Sequence, residues 1–144
     1  MDQRVTKLEA ADIANLESAR HWVREHFEPD AQHKYQLVQE KLRLLQGILD
    51  AGWINPTETA KLQSLGVALG DALAQELHME WVMVEDDAGC DPALKMPGTT
   101  VILFPLTMIS KRVESGDTVD VADLFAKVVE RTRELAARPD YRLS

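Results

Sequence analysis

Apolar residues recur at three- and four-residue steps through the first half of the chain and at every second position after Leu77. Those two periods predict helices followed by strands. From Asp2 to about Phe27, the positions Val5, Leu8, Leu16, Ala19, Val23 and Phe27 form one helical stripe. Asp12 and Asn15 interrupt it, as expected of a helix that is half covered or packed on a second copy of itself. Glu28-Pro29-Asp30 is a break, because a residue before proline avoids the α region. Asp30 is then read as the cap of a second helix to about Ala51, with Leu37, Val38, Leu42, Leu45 and Leu49 on its apolar face. Gly52 supplies the left-handed residue that ends it. A third helix is predicted to start at Asn55, with Pro56 at its first position and Glu58 completing the cap. Leu62, Leu65, Leu69, Leu73 and Leu77 give it a strong stripe. Gly66, Gly70 and Ala74 form a ridge of small residues beside that stripe. Each glycine costs a helix about 1 kcal/mol, so the ridge implies another backbone close by.

Trp81 to Glu85 reads as a strand, Asp86 to Gly89 as a turn, and Cys90 to Lys95 as a second strand weakened by Pro92. Pro97-Gly98 is a further turn. Thr99 to Phe104 is apolar on both faces and is predicted to be a central strand. Short connections make an antiparallel meander the economical topology. Leu106 to Glu114 is expected to form one or two helical turns. Asp120 caps a last helix to about Ala137, with Val121, Leu124, Val128 and Leu135 inward. Residues 139–144 read as a flexible tail. The expected fold class is therefore α+β: N-terminal helices, a three-stranded antiparallel meander, and a C-terminal helix packed on the sheet. Residues 1–144 are taken as one domain, with 1–28 as a peripheral helix.

A chain of 144 residues buries about two-thirds of its surface on folding, enough for a core without crosslinks. Cys90 is the only cysteine, so neither an intrachain disulfide nor a multi-cysteine zinc site is available. The net charge is −8. The excess of acid lies in residues 55–97, where Lys61 and Lys95 stand alone against eight carboxylates. No cluster of Lys and Arg offers a track for phosphates, which argues against nucleic-acid binding. No basic amphipathic helix suggests a membrane surface, and the longest apolar run, Val101 to Leu106, is too short to span a bilayer. The N-terminus shows no apolar core of a signal peptide, so a reducing cytoplasm is expected.

Candidate chemistry centres on the acidic turn. Glu85, Asp86, Asp87 and Asp91 offer oxygen ligands, but without the spacing of a calcium loop. A solvated turn is the commoner meaning of such a cluster. Glu17, His21 and Glu25 share one helical face, which is read as a surface pairing in preference to a metal site. Cys90 lies among carboxylates that disfavour a thiolate, so it is not expected to act as a nucleophile. Lys111 and Arg112 either hold an anion or pair with the acidic turn across the fold, the second reading being preferred. Trp81 and Trp53 are expected in the core, with a groove wall as the other reading. No serine-nucleophile elbow, P-loop or dinucleotide fingerprint is present.

From Leu65 to Gly116 the chain resembles the bacterial domain of unknown function 3806 family. The residues that carry the resemblance are Gly66 and Gly70, Trp81-Val82-x-Val84 with Asp86 and Gly89, Asp91-Pro92, Pro105, and Met108 to Arg112. Gly52-Trp53 extends it to residues 52–116. The family has no established activity, so the resemblance implies a small bacterial α+β domain and assigns no catalytic residue.

Two functions remain. One is a non-enzymatic protein-interaction domain of the adaptor or immunity kind. Its partner is another protein, or a second copy through the N-terminal helix, and no cofactor or metal is called for. The other is an enzyme binding a small molecule or metal between residues 85–91 and Lys111-Arg112. The candidate binding residues are Trp81, Glu85, Asp86, Asp87, Asp91, Lys111 and Arg112.

Overall fold

The computed structural model of the chain describes residues 3–143. The expected start of the first helix at Asp2 therefore lies outside the described residues. Arg4–Thr6 forms a strand, β1, in place of the first helical turn. Val5, expected on the helical stripe, is 37% exposed there. Helix α1 begins at Ala10 and runs to Arg24. It starts there because Glu9 and Asp12 cap each other: the Glu9 N–H donates to Asp12 Oδ2 at 2.8 Å, and the Glu9 side chain accepts from the Asp12 backbone. Asp12 thus acts as a cap residue, which is why it breaks the apolar stripe.

The second helix is shorter than its pattern suggested. Pro29–Gln36 is a 3-10 segment, and Leu37 then turns extended, with φ −99° and ψ 129°. Helix α2 covers Val38–Asp50 only. Leu37 consequently leaves the apolar face and is 56% exposed, while Leu42, Leu45 and Ile48 are buried. Gly52 ends the helix at φ +69° as expected.

Helix α3, Thr59–Leu77, is the centre of the molecule. It starts three residues later than predicted, at Thr59 and not at Pro56. The Asn55 N–H donates to Glu58 Oε1 and the Glu58 N–H to the Asn55 carbonyl, both at 2.9 Å, and this closed turn precedes the helix. Leu62, Leu65, Leu69 and Leu73 have no exposed surface. The small-residue ridge has the close neighbour it implied. A Cβ on Gly66 would lie 2.6 Å from Leu106 Cα, and one on Gly70 would lie 2.5 Å from the Trp81 ring.

Strands β2 (Glu80–Asp86), β3 (Gly89–Lys95) and β4 (Ile102–Leu103) form the predicted antiparallel meander. β1 adds a fourth strand, so the sheet order is β1-β2-β3-β4. The strand expected at the centre is instead a two-residue edge. Its two apolar faces have a different cause: Val101 and Leu103 join the helical core, while Ile102 packs on Val82, Val84 and Ala93 across the sheet. Pro92 is tolerated because β4 pairs only with Leu94 and Lys95, leaving β3 an edge at the proline.

Helix α4, Leu106–Glu114, follows buried Pro105 and lies against α3. Helix α5, Val121–Ala136, begins as predicted, with Asp120 Oδ1 accepting from the Asp123 N–H at 3.0 Å. It packs mainly on α2 and α3, and Val121, Leu124 and Val129 join the core cluster that contains Leu94. The segment expected as a flexible tail is attached through its backbone. The Thr100 N–H donates to the Tyr141 carbonyl at 2.7 Å and the Leu143 N–H to the Gly98 carbonyl at 3.0 Å.

Candidate functional site

The β2–β3 register runs from Glu80 opposite Lys95 to Asp86 opposite Gly89. It gathers Glu85, Asp86, Asp87, Cys90 and Asp91 at one end of the sheet. Asp86 Oδ1 accepts the Ala88 N–H at 2.8 Å, which shapes the turn. Glu85 faces Arg4 across the β1–β2 pair, with Arg4 Nη2 2.8 Å from Glu85 Oε2. Asp87, Cys90 and Asp91 are exposed. Partial desolvation and then the carboxylates of Glu85, Asp12 and Asp91 push the Cys90 thiol up. The direction agrees with the sequence reading, and Asp12, at the start of α1, adds charge from outside the hairpin.

The other expected site residues lie elsewhere. Arg112 donates to the Met108 carbonyl one turn back, at 2.7 Å. With Asp123, Lys127 and Val128 it lines a groove of about 380 Å³ that contains no residue of the hairpin. Arg112 therefore faces α5 and not the acidic turn, and Lys111 is exposed on the same helix. On α1, His21 Nε2 meets Glu25 Oε1 at 2.8 Å, with both side chains more than half exposed. Glu17 turns to Arg24 at 2.9 Å, and that hydrogen bond lowers its pKa. Among the described residues no group of three or more His, Cys, Asp or Glu side chains is placed to hold a metal ion.

Trp81 belongs to a cluster that sequence reasoning missed. Its Nε1–H donates to Asp71 Oδ1 at 2.9 Å. Arg20 grips the same carboxylate with two bonds, Nε to Oδ2 at 2.7 Å and Nη2 to Oδ1 at 3.0 Å. The Tyr35 hydroxyl donates to Oδ2 at 2.5 Å. A carboxylate has about four lone-pair sites, and Asp71 has all of them filled. Beside it, the almost fully buried Lys41 lies 4.6 Å from the centre of the Tyr35 ring and donates to the Tyr35 carbonyl. Burial, and then the charge of Asp71, raises the Tyr35 pKa well above the ordinary phenol. Burial lowers Lys41, with Asp71 opposing. Burial also works against Arg20, but the bonds and charge of Asp71 outweigh it and raise its pKa. The one sequence signal was a carboxylate set inside the apolar run from Leu69 to Leu73.

A family model described as "Domain of unknown function (DUF3806)" matches residues 41–125. The chain belongs to this family. The match encloses the resemblance at residues 52–116 and runs from α2 into α5. Asp71, Trp81 and Lys41 fall inside the DUF3806 match, whereas Arg20 and Tyr35 precede it. No curated protein sequence matches the chain. A crystal structure from Bacteroides thetaiotaomicron VPI-5482 is similar at a TM-score of 0.74 and 19% identity. The similarity covers 91% of this chain and 48% of that one, so the chain spans about half of its length. At that identity the likeness is one of fold. No helix among the described residues is long and apolar enough to cross a membrane.

Proposed function

We propose that this member of the DUF3806 family is a non-enzymatic protein-interaction domain of a cytoplasmic bacterial protein, working as an adaptor or immunity-type module. The acidic end of the β2–β3 hairpin is the surface it presents. The observation that carries this reading is the use made of its charged groups. The mostly buried carboxylate with unusual neighbours, Asp71, is saturated by Arg20, Tyr35 and Trp81, which leaves no lone pair to accept a proton from a substrate. One turn instead gathers four carboxylates, Asp87 and Asp91 exposed beside the half-buried Glu85 and Asp86. A partner with a complementary basic patch gains association rate and register from such a surface. The competing enzyme reading needs the hairpin and Lys111-Arg112 to converge, and the placement of Arg112 against α5 gives it little support.

The test begins with native mass spectrometry of the protein purified gently from its host. A co-purifying protein is then titrated by calorimetry against the wild type and the triple variant Asp86→Lys, Asp87→Lys, Asp91→Lys. The expected result is a loss of affinity of about tenfold or more, deepening at low salt, with the melting temperature kept. Unchanged affinity overturns the reading. A stoichiometric metal or metabolite in place of a protein overturns it in favour of the enzyme.

A further inference from the structure

Trp53, expected in the core, is 68% exposed. Its ring stacks on His26 at 6.2 Å, and His26 meets the Trp22 ring at 4.6 Å. The charged side chains of the recess beside it, Glu40 and Arg43, pair with each other at 3.0 Å. The groove between α4 and α5 differs, because it contains an arginine that no carboxylate meets. Both helices pack on α3 and little on each other, which leaves a cleft of about 380 Å³ between them. Sites for small organic molecules begin at about 300 Å³. Leu103, Met108, Leu124, Val128 and Leu135 give the cleft an apolar lining, and residues 118–120 of the α4–α5 connection complete its wall.

The charges of the groove are unequally spent. Its wall carries Arg112, Lys127 and Arg131 against Asp120 and Asp123, on a chain whose net charge is −8. Asp123 Oδ2 lies 2.8 Å from Lys127 Nζ. Asp120 Oδ1 is held by the Asp123 N–H at the cap of α5. Arg131 meets Glu134, outside the wall, at 3.6 Å with both side chains more than half exposed, and such a pair is worth little. The Arg112 side chain makes no ion pair among the described residues. Its single hydrogen bond there runs from Nη1 to the Met108 carbonyl at 2.7 Å. That bond ties the guanidinium to α4 and leaves its Nε–Nη2 edge open. The same edge of Arg20 takes both oxygens of Asp71, at 2.7 and 3.0 Å, so the chain itself shows what this edge binds. The Arg112 charge also opposes that of Lys127 on the facing helix, and an anion between them replaces that repulsion with two attractions.

We propose that the α4–α5 groove binds a small organic acid, with its carboxylate on the Nε–Nη2 edge of Arg112 and its apolar body along Leu124 and Val128. The groove contains no residue of the hairpin, so the proposal stands independently of the interaction reading. Octanoate and phenylpropionate are titrated into the isotope-labelled full chain and followed by amide chemical shifts, with octanol as the uncharged counterpart of the first. The expected result is saturable shifts confined to α4, α5 and residues 118–120 with at least one of the acids, and binding of octanol weaker than that of octanoate by about tenfold or more. Arg112→Gln weakens the acid by a similar factor and keeps the melting temperature, while Lys111→Gln, one position away, binds as the wild type does. Val128→Phe fills the groove without touching a charge and also weakens binding, so the result does not hang on one variant. The proposal is overturned if neither acid saturates, if the shifts lie elsewhere, if octanol binds as well as octanoate, or if Arg112→Gln binds as the wild type does. A tripeptide ending in leucine that binds the same residues more tightly than either acid overturns the small-acid occupant in favour of a protein C-terminus.

Discussion

Asp71 shows how far one side chain can organise a fold. It draws α1 through Arg20, the 3-10 segment through Tyr35 and β2 through Trp81 onto α3. Removing one partner of a mostly buried ion pair leaves the other charged and desolvated. Asp71→Ala is therefore expected to cost about 3–5 kcal/mol in chemical denaturation, against at most about 1 kcal/mol for Glu17→Ala on the exposed face of α1. Tyr35 adds a pH signature. Its folded pKa lies above its unfolded value of about 10, so above that pH the unfolded chain binds fewer protons than the native one. Its stabilisation is fully present below about pH 10 and is lost as pH rises beyond it. Lys41, lowered by burial, acts with the opposite sign up to about pH 10.4. The wild type minus Tyr35→Phe isolates the tyrosine: the difference is expected to be about 2 kcal/mol at pH 7 and to shrink above pH 10. A difference independent of pH would remove Tyr35 from this account.

At the scale of elements, small residues mark where helices meet their neighbours. Gly66→Ala gains helix propensity of about 1 kcal/mol but drives a methyl into the Pro105 and Leu106 backbone, which cannot swing aside as a side chain can. Overpacking of this kind costs about 1–3 kcal/mol or more. A lower melting temperature is expected for Gly66→Ala, and a higher one for Gly47→Ala, where space is open. Element ends were less legible than element existence. The apolar spacing of residues 30–51 is helical throughout, yet Pro29 and the extended Leu37 divide it into a 3-10 segment and α2. Asn55-Pro56 has the composition of a helix start, but Glu58 closes it into a separate turn. In both places local hydrogen bonding overrode a periodic pattern. The acidic turn was legible because β2 and β3 are adjacent in sequence. Arg112 was not, since its direction depends on how α4 seats on α3 and faces α5.

For the whole molecule, one core cluster runs from Val23 in α1 through α2 and α3 to Leu94 in the sheet and Val129 in α5. The proposal that residues 1–144 form one domain then predicts a single cooperative transition, with far-UV circular dichroism and Trp fluorescence coincident in urea. An early step confined to the Trp signal would instead separate the Trp22–Trp53 side from the rest. The local alphabet of this protein was set by its sequence: the apolar stripe of α3, the two-residue period of the hairpin, the Asp120 cap, the acidic character of residues 85–91, and the family resemblance at 52–116. Each depends on neighbours within a few positions, where spacing and backbone chemistry suffice. Tertiary structure alone decided the fourth strand at Arg4–Thr6, the edge position of Ile102–Leu103, the saturation of Asp71 and the exposure of Trp53. Apart from the pairing of Ile102–Leu103 with Leu94 and Lys95, those features arise between residues tens of positions apart, where burial and pairing depend on which surfaces the fold brings together.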